Sequence, residues 1–278
     1  MFERSRMRPR PGWRRTLGWV GLAAGGWVLY QAARPILREF RPANPRIARH
    51  LRERYMERAR CVVAVTAHPD DLEILCGGTL RRLVLGGARV VAVVASDGED
   101  QNSRANLAHI RHAEQCAAAR VLGYHDVRFL GFPGRELERS EGLDAAVERI
   151  LEEEAPDLIM AFDATHPAWL LVHPDHIAVG RAVVNAVVRQ RGPRAGGQGM
   201  PEVLLYGTSD PDVLIDIRDA MQDKVRALVQ HRSQLRGPER LYAPLLRMYG
   251  RITGFAGGLE YAEKFRRLHL GRPEAGQG

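Results

Sequence analysis

CVVAVTAHPDD, residues 61–71, runs seven small, mostly apolar side chains straight into a polar turn. The run has the length and β-branched content of a buried strand. Similar runs recur as VVAVVAS (90–96), VRFLGF (127–132), DLIMAF (157–162), VLLYGT (203–208) and VLIDI (213–217). Between them lie stretches of helical length, around 77–86, 105–122 closed by Gly123, 142–154 and 176–191. Strands this continuous in Val, Ile and Leu are buried on both faces, as in a parallel sheet covered by helices. The pattern predicts an α/β fold: a doubly wound, mostly parallel sheet in a Rossmann-like three-layer sandwich. Segments 218–235 and 239–268 read as further helix, and RGPRAGGQGMP (191–201) as a mobile surface loop. There is no internal repeat.

The chain has 278 residues and a formal charge of +8. Residues 1–60 hold 15 Arg and 4 Glu, a balance of +11, so the rest carries −3. A basic nucleic-acid-binding face on the folded part is therefore disfavoured. Only Lys224 and Lys264 are lysines, and there is no GxxxxGK phosphate loop. Residues 16–33, TLGWVGLAAGGWVLYQAA, carry no charge and are bracketed by Arg14, Arg15 and Arg34. Three readings compete here: a membrane-spanning signal anchor, a cleaved signal peptide and a soluble helix. Tyr30 spoils an AxA-type cleavage site, and Trp13, Trp19, Trp27 and Tyr30 suit interfacial anchoring, so the anchor is preferred. The organisation expected is a basic tail (1–15), a transmembrane segment (16–33), an Arg-rich stem (34–60), a folded domain (61–270) and a frayed tail (271–278). Arginines on both flanks nearly balance the positive-inside rule. Three cysteines without a CxxC pair, Cys61, Cys76 and Cys116, fit buried thiols of a reducing compartment and favour a single-pass protein with a cytoplasmic domain.

The first strand ends in His68-Pro69-Asp70-Asp71, and the fourth leads to His173-Pro174-Asp175-His176. Two such clusters at the carboxyl ends of parallel strands converge on one crevice. Imidazole and carboxylate suit Zn²⁺, and a catalytic zinc needs about three protein ligands and an open position. His68, Asp71 and His176 supply them for one ion. Adjacent carboxylates on an extended segment do not both face it, which frees Asp70 to be a general base. A lone HPD is often only a turn whose Asp caps a helix, and Asp175 is placed to cap one starting at His176. The second cluster tips the balance to a site. His109, His112, His125, His166 and His231 lack such partners and read first as surface or local-structure residues. No GxSxG competes, although Cys76 lies near the site.

AHPDDLEILCGGTL (67–80) together with HPDHIAVG (173–180) resembles the PIG-L/LmbE-like family of zinc-dependent de-N-acetylases. SDGE (96–99), IRHAEQCAAARVLG (110–123), LGFP (130–133), HRSQ (231–234) and EYAEKF (260–265) extend the resemblance over about 60–268. It implies one Zn²⁺ held by His68, Asp71 and His176, with Asp70 as general base. It also implies protonated His173, oriented by Asp175, facing the developing oxyanion, and Arg111 contacting substrate. The local alternative for Arg111 is an i,i+3 pair with Glu114. Gly134-Arg135 stands where the family often has Asp, and Leu171-Val172 where some members have Tyr. The expected activity is hydrolysis of an N-acetylglucosamine-type acetamide, on a small or lipid-linked sugar. An amidase of another soluble acetamide and an inactive zinc- or sugar-binding module are the rivals; a two-metal phosphodiesterase would need more carboxylate ligands.

Overall fold

The structure is a computed structural model and describes residues 58–98, 107–168, 171–190, 200–235, 241–255 and 257–269. The transmembrane segment expected at 16–33, the stem as far as residue 57, most of the 191–201 loop and the 271–278 tail lie outside the described residues. Among the described residues no helix is long and apolar enough to cross a membrane.

The elements run β1 (Cys61–Thr66), α1 (Asp71–Leu75), α2 (Gly77–Leu85), β2 (Arg89–Ser96), α3 (Leu107–Leu122) and β3 (Asp126–Phe132). Then come α4 (Leu143–Glu154), β4 (Leu158–Phe162), α5 (Pro174–Arg189), β5 (Glu202–Tyr206), β6 (Val213–Asp216), α6 (Met221–Leu228), α7 (Tyr242–Phe255) and β7 (Ala262–Arg267). They build a seven-stranded sheet ordered β3-β2-β1-β4-β5-β7-β6. The first five strands pair in parallel, β1 with β2 from Cys61↔Arg89 to Thr66↔Val94 and with β4 from Val62↔Leu158 to Ala64↔Met160. Val62, Val63, Ala64 and Val90 to Val94 are fully buried, as a sheet covered on both faces requires. Connections leave β1 toward β2 and β3 on one side, then cross to β4 on the other. Strand order therefore reverses between β1 and β4, which opens a crevice beyond their carboxyl ends.

Two elements depart from the sequence reading: α1 (Asp71–Leu75), a separate short helix ahead of the one expected around 77–86, and the last strand. AEKFRR (262–267), expected to be helical, forms β7, the one reversed strand, antiparallel to β5 and β6. Its local composition does not announce a strand; pairing on both edges decides it. The preceding helix ends at Phe255, where a Cβ at Gly254 would lie 2.6 Å from the Leu259 carbonyl oxygen.

β7 also straps the loop that leaves β4. Arg266 donates from Nε and an NH₂ nitrogen to the two oxygens of Asp163, at 2.7 and 2.8 Å, and the Asp163 carboxylate also accepts the amides of Thr165 and His166. Burial alone would raise the Asp163 pKa, but these bonds hold it well below the usual carboxylate range. Arg266→Ala leaves a buried carboxylate without its cation, and the expected cost is about 3–5 kcal/mol. For a domain of this size that lowers Tm by on the order of 10 °C. Because the folded pKa is depressed, the stabilisation is present above the ordinary Asp pKa of about 3.9 and is lost as pH falls below it. Thermal melts of the Arg266 variant at pH 7 and pH 3 check both: a melting point unchanged at pH 7 rules the strap out.

Candidate metal centre and active site

The two histidine-aspartate clusters meet in the crevice. His68, His173 and His176 lie with ring centroids 5.3 Å apart in every pair. Among the described residues two ligand sets fall within 4.8 Å: His68, Asp71 and His176, and His68, His173 and Asp175. The first has the better donor chemistry. Asp71 Oδ2 accepts from Thr66 Oγ1 (2.9 Å) and the His68 amide (2.8 Å), leaving Oδ1 3.4 Å from His176 Nε2. His176 Nδ1 donates to the Leu171 carbonyl (3.0 Å), and its ring stacks on Phe162 at 3.9 Å, so Nε2 is presented to the site. His68 Nε2 donates to Asp175 Oδ2 (2.9 Å), leaving Nδ1 on the Asp71 side. Each ring thus spends one nitrogen on an oxygen acceptor and aims the other at Asp71, the arrangement that fixes the tautomer of a metal-binding histidine. The set fits one divalent ion.

Charge agrees. Burial disfavours the ionised forms, yet hydrogen bonds from His176 and His68 hold Asp71 well below its ordinary range. His68 is opposed by burial and drawn up to about 9 by Asp175 and Asp71. The carboxylates thus call for positive charge at the point where an ion would sit.

Asp70 differs from its neighbour. It adopts φ +106°, which turns it away from Asp71 at the start of α1. It lines an open cleft of about 420 Å³. Burial and the Asp71 charge push its carboxyl up to about 7, against Arg111 and His231. A carboxyl poised near neutrality is matched to general-base work.

The expectation that Asp175 orients His173 is corrected. Its carboxylate serves His68 and the amides of Arg135 (2.7 Å) and Leu137 (3.1 Å). The Asp175 backbone N–H, not the side chain, reaches His173, donating to Nδ1 at 3.2 Å. His173 is therefore the N-cap of α5, which begins at Pro174, and the helix is not capped by Asp175. A ring accepting at Nδ1 carries its proton on Nε2 and is neutral, and burial and the nearby His68 lower its pKa. Both features favour the neutral ring over the protonated His173 expected from the resemblance.

Arg111 is buried on the cleft wall, but its terminal nitrogens hold backbone, NH1 the Gly98 carbonyl (2.7 Å) and NH2 the Pro69 carbonyl (2.9 Å). Gly98 makes room for it, since a Cβ there would fall 2.2 Å from NH1. Glu114 does not pair with Arg111; its carboxylate accepts the Ser233 amide (2.7 Å) and hydroxyl (2.6 Å). That bond holds the turn carrying Gln234, which also lines the cleft. His231, read first as a surface or local-structure residue, is fully buried, its Nε2 3.2 Å from Glu73 Oε2. Glu73 and Gln115 are buried beside it and were missed altogether. A lone acid in the apolar run LEIL was the available signal.

Comparison with known proteins bears on this geometry. The family model for PIG-L, GlcNAc-PI de-N-acetylase, matches residues 63–187. The diacetylchitobiose deacetylase of Thermococcus kodakarensis is 30% identical over 224 residues, covering 74% of this chain and 82% of its own length. The chain belongs to the PIG-L family. A probable N-acetyl-α-D-glucosaminyl L-malate deacetylase of Bacillus cereus is 35% identical over 189 residues, 63% of this chain and 84% of that protein. Among solved structures, the N,N′-diacetylchitobiose deacetylase of Pyrococcus horikoshii superposes with a TM-score of 0.69 at 29% identity, covering 78% of this chain and 86% of that one. This PIG-L protein is a hydrolase acting on an amide bond. Its α/β sheet, ordered about the β1–β4 switch, is the frame that brings the two clusters together.

Proposed function

We propose that this PIG-L hydrolase is a zinc-dependent de-N-acetylase of an N-acetylglucosamine-type amide. The observation that carries the reading is the division of labour within one dipeptide: Asp71 faces His68 and His176, while Asp70, on a left-handed backbone, lines the cleft. The names of the relatives, which act on acetylated glucosamine compounds, support the substrate class. A cleft of about 420 Å³ has room for one sugar ring and part of its aglycone.

His68, Asp71 and His176 would hold the ion. When bound, zinc supplies Lewis-acid polarisation of the acetamide carbonyl and acidifies water. Asp70 takes a proton from the water that attacks the carbonyl carbon. His173 donates its Nε2–H to the oxygen as negative charge develops there. The proton held at Asp70 then passes to the amide nitrogen, the C–N bond breaks, and acetate and a free amine leave. Asp175 keeps the His68 ring oriented, and Arg111, on the cleft wall, is the proposed substrate contact. A mere binding module has no use for a base at Asp70.

Acetate release from a panel of N-acetylglucosaminides by the purified protein, metal-free and reloaded with zinc, tests the reading. Zinc-dependent release is expected, with kcat/KM falling as the pH drops below an acid limb at or under 7: protonation removes the base, and a bound cation only lowers its pKa. Release from simple acetamides but no glucosaminide would overturn the sugar reading, and no release from any acetamide would overturn the enzyme reading. The uncharged 16–33 segment supports a further part of the proposal, a single-pass anchor that keeps the domain at a cytoplasmic membrane face and a lipid-linked sugar within reach. A carboxyl-terminal reporter active only after export would overturn that topology.

A further inference from the structure

We propose that Glu73, Gln115 and His231 form a buried positioning relay that sets the plane of the Pro69–Asp70 peptide and so aims Asp70 at the cleft. The inference rests on the functional reading above, in which Asp70 is the base. The three residues come from α1, α3 and the turn after α6, and all three are fully buried. The Asp70 N–H donates to Gln115 Oε1 (3.2 Å), Gln115 Nε2 donates to Glu73 Oε1 (3.1 Å), and His231 Nε2 donates to Glu73 Oε2 (3.2 Å).

One peptide group is gripped at both ends. The Pro69 carbonyl is held by Arg111 and the Asp70 N–H by Gln115, side chains one turn apart on the same face of α3. The grip counts because Asp70 sits at φ +106°, a conformation that costs an L-residue roughly 1–3 kcal/mol and persists only where the surroundings over-determine it. Gln115 does its part only with its oxygen toward Asp70, and an amide can present either end. Glu73 removes the choice. A carboxylate only accepts, so the Gln115 NH₂ must face it and the oxygen must face Asp70. His231 then supplies the donor that a fully buried carboxylate requires. A buried polar chain of this kind brings little stability over apolar packing, which leaves orientation as its use.

Gln115→Leu keeps the volume and removes both bonds. Expected is a fall in kcat on an N-acetylglucosaminide of about 10–100-fold, the usual effect of a base displaced by about 1 Å, with KM within about threefold and metal content unchanged. Glu73→Gln combined with Gln115→Glu exchanges amide and carboxylate. The carboxylate then at position 115 accepts from the Asp70 N–H, and the amide then at position 73 donates to that carboxylate and accepts from His231. This pair should recover kcat to within about threefold of the parent. A second readout needs no activity, since deuterium exchange of the peptide spanning 68–75 should quicken in Gln115→Leu and return to the parent rate in the swap. The proposal is overturned if Gln115→Leu keeps kcat and exchange at parent levels, if kcat falls only in proportion to lost metal, or if the swap recovers neither. Should Gln115→Leu not fold, Gln115→Asn, one methylene shorter, carries the same test. A parent protein that releases no acetate would sink the functional reading, while exchange would still judge the relay.

Discussion

Asp70→Asn is expected to lower turnover by about 10²–10⁴-fold while bound metal stays near one per chain, and Asp71→Ala to lose metal and turnover together. The separation follows from where the two carboxylates point. Asp71 sits between His68 and His176: Oδ2, held by Thr66 and the His68 amide, lies 3.6 Å from His68 Nδ1, and Oδ1 lies 3.4 Å from His176 Nε2. Removing it takes an anionic ligand from a three-ligand site. Asp70 lines the cleft on a left-handed backbone, and asparagine keeps its size while removing the basic oxygen. Metal content by elemental analysis beside acetate release decides the matter. Metal lost from Asp70→Asn but kept by Asp71→Ala would exchange the two roles, and metal and activity kept by both would reduce HPDD to a structural turn.

Asp175→Ala is expected to weaken metal binding by about 10–100-fold, although Asp175 lies outside the proposed ligand set. Its carboxylate fixes the His68 ring through Nε2 and holds the amides of Arg135 and Leu137, the backbone that forms one cleft wall. The α5 cap should survive, because it uses the Asp175 backbone N–H and the His173 ring. Titration of the metal-free protein with zinc measures the loss, and far-ultraviolet circular dichroism shows whether the helix persists. Unaltered zinc affinity would mean that Asp175 serves only the loop.

The parallel strands were legible because each is a short apolar run bounded by turn residues, and burial on both faces leaves that mark on any sequence. The two clusters were legible for a related reason: strand ends in such a sheet converge, so HPDD and HPDH at the ends of the first and fourth strands had to be near each other. β7 was not legible. AEKFRR has no strand signature of its own and becomes one by pairing with β5 and β6. The buried face of α3 was hidden in the same way. Arg111, Glu114 and Gln115 look like an ordinary polar stripe, and only the fold gives them the 69–70 peptide, Ser233 and Glu73 as partners.

The sequence by itself determined the sheet-forming runs, the pair of histidine-aspartate motifs and the family, since these depend on residue type and spacing along the chain. The tertiary structure decided which nitrogen of each histidine faces Asp71, that Asp175 serves His68 and not His173, and that His231 lies beneath the site. The roles of His68, Asp175 and His231 depend on hydrogen-bond partners far apart in the chain, 107 residues for His68 and Asp175 and 158 for Glu73 and His231. A donor's partner over such separations is set by how the layers pack, which no local pattern records.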